Sequence, residues 1–513
     1  MNPFAAPSLR DQTFFGNADR GFINSLKTCI IKARDGGVIW DNDAYSFLYG
    51  AECPETANPK LWRHAQVACK QSLFEVTSRI YQIRGLDISN MTVIEGDRGI
   101  IVVDPVTSGE CAEAALGLYR HHRGNRKVTG LIYTHSHADH FGGCQGVLPG
   151  EELEGVPILA PEKFLDHAIA ENIYAGNAMS RRAVYMYGDR LSKGPTGQLG
   201  AGIGATMSTG TVTLLPPTIS ISRTGQEETI NGVRVVFQMT PSTEAPAEMS
   251  FHLPQLRALC IAEIATHNLH NISTLRGTAV RHAMSWSMYL DEGIVLFTDR
   301  SDVVFSQHLW PQRDLYAYLH DQTLPVVLRE AWHAQGFYET VSHNVKAIYQ
   351  RYMTWFDGNP AHFRKRCVSC MGGTDDMIRR AGSFAQEGDL RFAVTLLNHA
   401  RELASCLEKL GYGCENGRWR NFYLSGASEL RGRKFHTELY TESTAMTRAL
   451  TLGHLMALLT VRINGPRAQT ENFTIDICVT DLGQRCRLIL SNGALIRRVG
   501  GLDQLPQLPA HSC

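Results

Sequence analysis

The chain has 513 residues, and its 50 lysine and arginine residues balance 50 aspartate and glutamate residues. Without a net positive charge it has no overall field to attract nucleic acid or an anionic membrane surface, so we expect neither as a partner. A composition of 43% hydrophobic and 19% charged residues excludes an intrinsically disordered chain. At about 150 residues per domain, the length predicts about three domains.

Several features bear on cellular location. Apolar stretches such as 449–461 are interrupted by polar or glycine residues and are shorter than the ~20 residues that a membrane-spanning helix needs. The first thirty residues lack the basic start and apolar core of a signal peptide. The thirteen cysteines are odd in number and irregularly spaced, and the CxxC pair Cys367 and Cys370 lacks the second pair that a zinc site of this kind needs. We therefore expect a cytoplasmic protein without a membrane span.

The first of three regions, residues 1–311, predicts a layered α/β domain. From about residue 60 it alternates short β-rich runs, bounded by Gly, Asp and Pro, with helical patterns. The predicted strands are 80–83, 91–95, 99–103, 128–133, 234–239, 256–260 and 294–297.

The second and third regions have other patterns. Residues 312–430 lose the strands and show amphipathic helical patterns that end at glycines, which predicts a helical domain. Residues 431–513 begin with a predicted helix at 445–459 and continue with three strand patterns, each followed by Gly, which predicts hairpins. The third region is therefore expected to be a small α+β domain.

Residues 128–143, VTGLIYTHSHADHFGG, carry the strongest chemical signal. An apolar strand leads directly into His135, His137, Asp139 and His140, and a strand end followed by a tight turn can direct all four side chains into one cavity. Imidazole and carboxylate ligands without thiolate are appropriate to a catalytic zinc that keeps a position open for water. The alternative, a polar loop that holds these residues by chance, is disfavoured by the spacing.

This His-x-His-x-Asp-His pattern followed by Gly-Gly resembles the metallo-β-lactamase superfamily. The resemblance implies an αββα sandwich with metals at the sheet edges. Asp104, at the end of GIIVVD, matches an aspartate of that superfamily that orients a ligand imidazole through its other ring nitrogen. A structural aspartate held in a salt bridge is the competing interpretation.

Nearly the whole chain resembles the alkyl sulfatase branch of this superfamily, the enzymes of the dodecyl-sulfate hydrolase type. Matching stretches include LFEVTSRIYQIRG, ENIYAGNAMSRRA, EAPAEMSF, AEIATHNLHN, TLRG and VSHNVKAIYQRYMTWFDGNPAH. The resemblance implies zinc-dependent hydrolysis of alkyl sulfates to an alcohol and inorganic sulfate, with two Zn²⁺ ions per chain. It also implies a homodimer formed by the helical domain and a C-terminal domain similar to sterol-carrier proteins.

The resemblance extends the ligand set beyond the histidine motif. Glu244 and Glu263 each follow an apolar strand and match positions that are metal ligands in this branch, with Glu248 as a neighbouring rival. His308 matches the last ligand, but the family's second histidine at this place is Leu309, which puts the local support of His308 in question. The implied metal ligands are therefore His135, His137, Asp139, His140, Glu244, Glu263 and His308.

Substrate residues are also implied by the resemblance. Arg276 matches the family's sulfate-binding arginine, and a guanidinium fits sulfate oxygens two at a time. Asn177 and Arg181 are weaker candidates. His270 resembles the residue assigned as general acid, although a packed structural histidine is the alternative. An alkyl chain would also need an apolar groove, for which the candidates are Phe164, Met179, Met186 and Tyr187.

Two other functions stay open at this point. A thioesterase or lactonase shares the superfamily motif, but Glu244 and Glu263 in place of histidine count against it. A catalytically inactive, dimeric lipid-binding protein is the other alternative, because the chain is shorter than its resemblance predicts. The resemblance implies missing segments after Pro311, Leu324, His362 and His399, and also at the end of the last domain.

Overall fold

The protein is represented by a computed structural model that describes residues 13–50, 52–312, 335–353, 374–397, 403–433, 435 and 443–501. The CxxC pair lies outside these residues. Three of the four places where the resemblance implies a missing segment, Leu324, His362 and His399, also lie outside them. None of the helices in the described residues is both long and apolar enough to cross a membrane.

The strands fall into two large sheets, one three-stranded sheet and one two-stranded sheet. The β-strands of the described residues are β1 Phe22–Asn24, β2 Ile30–Lys32, β3 Val38–Asp41, β4 Ser72–Thr77, β5 Ile80–Arg84, β6 Met91–Glu95, β7 Ile100–Val103, β8 Val128–Ile132, β9 Ile158–Pro161, β10 Ile219–Ile221, β11 Glu227–Ile230, β12 Val233–Met239, β13 Met249–Leu253, β14 Ala258–Cys260, β15 Val303–Phe305, β16 Phe473–Val479, β17 Gln484–Ser491 and β18 Ala494–Gly501.

Helices fill the connections in the first part of the chain and make up most of the described residues of the middle region. The α-helices of the described residues are α1 Thr13–Asp19, α2 Pro59–Ala68, α3 Gly109–Arg123, α4 Cys144–Val147, α5 Phe164–Ile169, α6 Gly176–Tyr187, α7 Ala283–Phe297, α8 Val341–Met353, α9 Thr374–Gln386, α10 Leu390–Leu397, α11 Leu403–Gly413, α12 Gly417–Leu430, α13 Thr444–Arg448, α14 Leu452–Arg462 and α15 Gly465–Ala468. A π-helical turn, Ala170–Tyr174, lies between α5 and α6.

Both large sheets are mixed. The eight-stranded sheet has the order β1-β4-β5-β6-β7-β8-β9-β10, antiparallel up to β7 and parallel from β7 to β10. The five-stranded sheet runs from β11 to β15, antiparallel except for its last pair. Parallel neighbours end at the same edge of a sheet, so the loops after β7 and β8 lie side by side.

The alternation of side chains explains how the layers pack. All four residues of β7 are fully buried, and successive side chains point to opposite faces of a strand. Ile100 and Val102 join the core beneath the helices, whereas Ile101 and Val103 join the core between the two sheets. On the far side, α7 covers the five-stranded sheet. The predicted αββα sandwich is therefore confirmed.

The remaining regions also match the predicted classes. Residues 341–430 are helical in their described parts, and β16 to β18 form an antiparallel sheet against which α14 packs through Leu452 and Met456. The small α+β region is thus present, whereas its likeness to sterol-carrier proteins and the domain boundaries at 311 and 430 stay predictions.

Two predicted elements were wrong. Residues 294–297 were expected to be a strand but form the end of α7, because a short apolar run cannot be distinguished from a buried helix segment by its pattern alone. Leu290 and Phe297 are buried while Val295 is exposed, as the helical period requires. The single helix expected at 445–459 is two helices, α13 and α14. Thr451 caps the second one, and its side chain accepts from the backbone N–H of His454.

Candidate active site

The predicted metal ligands all lie at or beyond strand ends on the edge where the two large sheets meet. His135, His137, Asp139 and His140 follow β8, Glu244 lies between β12 and β13, Glu263 follows β14, and His308 follows β15. The backbone joins the sheets at this edge, since His135 forms a β-bridge with Glu248 and the N–H of Met249 donates to the carbonyl of Thr134 over 2.9 Å.

Asp104, at the end of β7, determines how two of the imidazoles are held. Its carboxylate accepts from His140 Nδ1 over 2.8 Å and from the Thr134 hydroxyl over 2.6 Å. Because the Thr134 hydroxyl donates to Asp104, its oxygen is the acceptor for His135 Nδ1, 3.0 Å away. Both rings therefore carry their proton on Nδ1. The geometry agrees with the ligand-orienting role that the sequence predicts for Asp104.

His308 is held in the same way by a different partner. Its Nδ1 donates to the backbone carbonyl of Ile88 over 2.9 Å. Leu309, which replaces the family's second histidine, is buried in the apolar core with a left-handed backbone, φ 61°. The ring of His308 is therefore positioned without that second histidine.

In His135, His140 and His308, the Nε2 atom carries a lone pair that faces a carboxylate. These Nε2 atoms are buried and make no hydrogen bond within the described part of the chain. Glu263 Oε2 lies 3.5 Å from Nε2 of His135, 3.5 Å from that of His140 and 3.2 Å from that of His308. Asp139 Oδ2 lies 3.2 Å from His140 Nε2 and 3.6 Å from His308 Nε2.

This donor set fits metal ions. A lone pair that faces a carboxylate is repelled by it, and a cation between them removes the repulsion. Ligand atoms about 2 Å from a tetrahedral metal are roughly 3.3 Å apart, which matches the observed spacings. Two neighbouring groups that share no residue can each hold an ion, one with His135, His137 and Glu263, the other with Asp139, His140 and His308.

The charges of the cluster reinforce this fit. Burial works to raise the pKa of the Glu263 carboxyl, but His308, His135 and His140 outweigh burial and hold that pKa well below its usual range. Burial likewise works to lower the pKa of His308, yet Glu263 raises it. A buried site that keeps a carboxylate ionised attracts positive charge, and metal cations supply such charge.

Glu244 reaches the cluster from the other sheet. Its Oε1 lies 3.6 Å from His137 Nδ1, and its Oε2 pairs with Arg281. Glu248, the rival ligand, instead shapes the turn before it. Its Oε2 accepts from the Thr243 hydroxyl over 2.7 Å and from the Glu244 N–H over 2.8 Å. The structure thus places Glu244 beside the cluster and Glu248 behind it.

Arg276 is buried next to this cluster and pairs with Glu171 Oε1. The other oxygen of Glu171 lies 3.6 Å from His137 Nε2, so one carboxylate connects the arginine to a predicted metal ligand. Glu171 lies on the π-helical turn, a conformation often found at functional sites. The sequence reasoning missed Glu171, although it begins the matching stretch ENIYAGNAMSRRA, and it also missed Arg281, which no motif marked.

His270 is enclosed as a neutral ring. Its Nε2–H donates to the Thr243 carbonyl over 2.9 Å, and the ring stacks on Trp286 with centroids 4.7 Å apart. Burial, and then the charge of Arg281, lower the pKa of His270 to about 4. The Nε2–H of His270 is thus bound within the protein, and its assignment as general acid stays a prediction.

The remaining candidate substrate residues lie in three different environments: one lines a cavity, three are packed in apolar cores, and two are exposed. A cavity of about 430 Å³ opens beside His137 and Glu244, and Met179 lines it together with Ala245, Pro246 and Val280. The other groove candidates, Phe164, Met186 and Tyr187, are packed in apolar cores, so the structure does not support a groove there. Asn177 and Arg181 are exposed on α6 and do not line this cavity.

A mixed αββα sandwich with this donor cluster at the meeting edge of its sheets is the architecture of the metallo-β-lactamase superfamily. Family models agree along the chain. They match the metallo-beta-lactamase superfamily at 84–308, alkyl sulfatase dimerisation at 317–433 and alkyl sulfatase C-terminal at 440–509.

The chain is also similar to individual proteins of known activity. The chain is 41% identical to a linear primary-alkylsulfatase of Pseudomonas sp, over 94% of this chain and 80% of that protein. It is 39% identical to the alkyl/aryl-sulfatase BDS1 of Saccharomyces cerevisiae, over 94% and 83%. The structure of the stereoselective inverting sec-alkylsulfatase Pisa1 from Pseudomonas sp. superposes with a TM-score of 0.92 at 36% identity, covering 97% of this chain and 87% of that one. The chain belongs to the alkyl sulfatase family.

The hydrogen bonds of Asp104 generate a prediction. Asp104→Asn replaces one acceptor oxygen by an N–H₂ group that faces the donors Thr134 and His140. Metal affinity should fall about ten- to a hundredfold, as for other partners of ligand histidines. Metal titration followed by thermal unfolding measures this, and Asp97→Asn, at a side chain that is 68% exposed, is the control. Equal metal affinity in wild type and Asp104→Asn would contradict the role.

Proposed function

We propose that the chain hydrolyses alkyl sulfate esters to an alcohol and inorganic sulfate, using two zinc ions. The observation that supports this most directly is a buried guanidinium beside the donor cluster. Arg276 is connected through Glu171 to His137. An anionic substrate needs such a cation, because sulfate oxygens must exchange their water for fixed N–H donors.

The ligand roles follow the positions of the donors. His135, His137 and Glu244 would hold one zinc, and Asp139, His140 and His308 the other, with Glu263 between them because its Oε2 faces three of the histidines. When bound, zinc lowers the pKa of a water and stabilises negative charge. Arg276 would bind the sulfate oxygens, and the cavity beside Glu244, with Met179 and Pro246 in its wall, would take the alkyl chain.

The protonation state of His270 bears on whether the S–O bond or the C–O bond of the ester is cleaved. Breaking the S–O bond releases a strongly basic alkoxide, which needs a proton from a general acid. Breaking the C–O bond releases sulfate, the weak base of a strong acid, which needs only electrostatic stabilisation. His270 is neutral, and its Nε2–H is already donated to Thr243. We therefore propose C–O cleavage, with Arg276 stabilising the departing sulfate and His270 in a structural role.

The alternatives are less well supported. A thioester or lactone group carries no charge, so a thioesterase or lactonase would not need a buried guanidinium to bind the group that reacts. An inactive scaffold has no need for three imidazoles whose Nε2 atoms face two carboxylates.

We also propose a homodimer formed through the helical region, as the dimerisation family model suggests. On α8, Val341, Val345 and Tyr349 follow one another at intervals of four residues, and their exposed fractions are 66%, 58% and 62%. Exposed apolar side chains on one helix face are typical of an association surface.

The central test measures metal and activity together. Purified protein is expected to bind two zinc ions per chain and to release sulfate from a linear alkyl sulfate. A chelator should abolish the activity and added zinc should restore it. Fully active protein with less than one metal per chain would contradict the proposal.

Arg276 should distinguish sulfate from neutral substrates. Arg276→Lys keeps the charge but loses the paired N–H groups, and should cost about 1–3 kcal/mol, or about ten- to a hundredfold in kcat/KM. Arg276→Ala should cost more. The variants are compared on an alkyl sulfate and on a carboxylic ester of the same chain length, with the exposed Arg234→Lys as control. Equal losses on both substrates would make Arg276 structural, and activity on the ester alone would favour the thioesterase alternative.

Isotope labelling tests which bond breaks. Hydrolysis in ¹⁸O-water should place the label in the alcohol, because water attacks carbon and the ester oxygen leaves with the sulfate. Mass spectrometry of both products measures this. Label in the sulfate would show S–O cleavage and would return His270 to the position of general acid.

The dimer proposal is tested by sedimentation. Wild-type protein should sediment as a dimer at micromolar concentration, whereas Val345→Glu places a charge in the apolar face and should shift it towards monomer. Gln350→Glu, at an exposed polar position on the same helix, is the control. A monomeric wild type at this concentration would contradict the proposal.

A further inference from the structure

The segment that carries Arg276 has no regular secondary structure. Residues 269–281, here called the recognition segment, contain no helix or strand, yet His270, Arg276 and Arg281 within them are buried. A buried segment without a helix or sheet ladder must find other partners for its backbone N–H and C=O groups. The identity of these partners therefore decides where Arg276 lies.

Helix α8 of the dimerisation region supplies a paired contact to this segment. The Asn344 side-chain amide donates to the His270 carbonyl over 2.6 Å and accepts from the Ile272 N–H over 3.0 Å. One side chain thus takes the place of a neighbouring β-strand, because it binds the C=O of one residue and the N–H of the residue two positions later. Such a pair fixes the direction of the segment as well as its distance from α8.

The dimerisation region makes two further hydrogen bonds to the recognition segment, at the residues that come next in the chain. His343 Nε2 donates to the Ser273 carbonyl over 2.9 Å, and Arg418 Nη1 donates to the Thr274 hydroxyl over 3.3 Å. Arg418 is fully buried and is itself held by Glu339, with Nη2 2.8 Å from the carboxylate. These contacts end two residues before Arg276.

The residues that Asn344 binds are also connected to the donor cluster, through Arg281. The N–H of Arg281 donates to the Ile272 carbonyl over 2.8 Å, and Arg281 Nη1 donates to the Asn271 carbonyl over 2.7 Å. Arg281 in turn pairs with Glu244. Asn344 and Arg281 therefore bind four different backbone groups of residues 270–272.

We propose that Asn344 is a positioning residue for sulfate binding, so that the dimerisation region forms part of the support of the active site. The inference rests on the proposed function, since it takes Arg276 as the group that binds sulfate. Asn344 touches neither the substrate nor the predicted metal ligands. It acts by holding the recognition segment in the conformation that aims Arg276 at the sulfate.

The test uses the full-length, zinc-loaded protein. Asn344→Leu keeps the size of the side chain and removes the amide, and Asn344→Gln keeps the amide but displaces it by one methylene. Gln350→Leu, on the exposed face of α8, is the matched control. The readouts are the inhibition constant of inorganic sulfate, the stabilisation of thermal unfolding by sulfate, and kcat and KM for an alkyl sulfate, alongside zinc content and sedimentation.

Asn344→Leu should raise the inhibition constant of sulfate and lower kcat/KM by about tenfold or more, since small displacements of a binding group have effects of this size. Asn344→Gln should show an intermediate loss, and the control none. Zinc content and the dimer should be unchanged in all three. A merely structural role would lower thermal stability without changing sulfate affinity.

The outcomes separate this inference from the proposed function. A wild type that is stabilised by sulfate but hydrolyses no alkyl sulfate would overturn the proposed function, and the sulfate stabilisation of the variants would still decide the role of Asn344. A folded Asn344→Leu with wild-type sulfate affinity would overturn the inference. If Asn344→Leu does not fold, wild-type sulfate affinity in Asn344→Gln would overturn it. A wild type that hydrolyses an alkyl sulfate but does not respond to inorganic sulfate would overturn the inference and leave the proposed function standing.

Discussion

The hydrogen bonds of one buried carboxylate determine much of this site. Asp104 accepts from His140 Nδ1, from the Thr134 hydroxyl and from the Thr134 N–H. These bonds place the protons of His135 and His140 on the nitrogens that face away from Glu263. Their Nε2 lone pairs are thereby directed at a carboxylate, which is unfavourable unless a cation lies between them. The site is therefore built around positive charge that the ligands themselves do not provide.

Two arginine–carboxylate pairs lie beside that cluster. Glu171 connects Arg276 to His137, and Glu244 connects Arg281 to the same histidine. Each carboxylate faces an arginine on one side and an imidazole on the other. Buried charges are tolerated when they are paired in this way. The pairs also fix the distance between the group proposed to bind sulfate and the groups proposed to bind metal.

The helical region has two faces with different tasks. One face of α8 contacts the recognition segment through His343 and Asn344, while Val345 and Tyr349 expose an apolar surface. The same helix thus contacts the recognition segment on one side and carries the surface proposed for the dimer on the other. Association that rigidifies α8 would rigidify the recognition segment too, which gives the dimer a physical connection to substrate binding.

The sequence by itself determined those features that depend on local pattern. Bounded apolar runs predicted six of the thirteen described strands of the two large sheets. The His-x-His-x-Asp-His motif predicted the cluster, because strand ends direct nearby side chains to one edge. The apolar run 294–297 was placed in a strand because its pattern fits a buried strand and a buried helix equally well.

Only the tertiary structure decided features that depend on contacts between distant residues. No spacing could show that Glu171 and Arg281 pair with Arg276 and Glu244, since 105 positions separate Glu171 from Arg276 and no motif marks these partners. The low pKa of His270 likewise follows from burial and from the charge of Arg281, which residue type cannot reveal. Local pattern determines where a chain forms strands and helices, whereas the charge and hydrogen bonding of a buried group depend on whatever the fold brings against it.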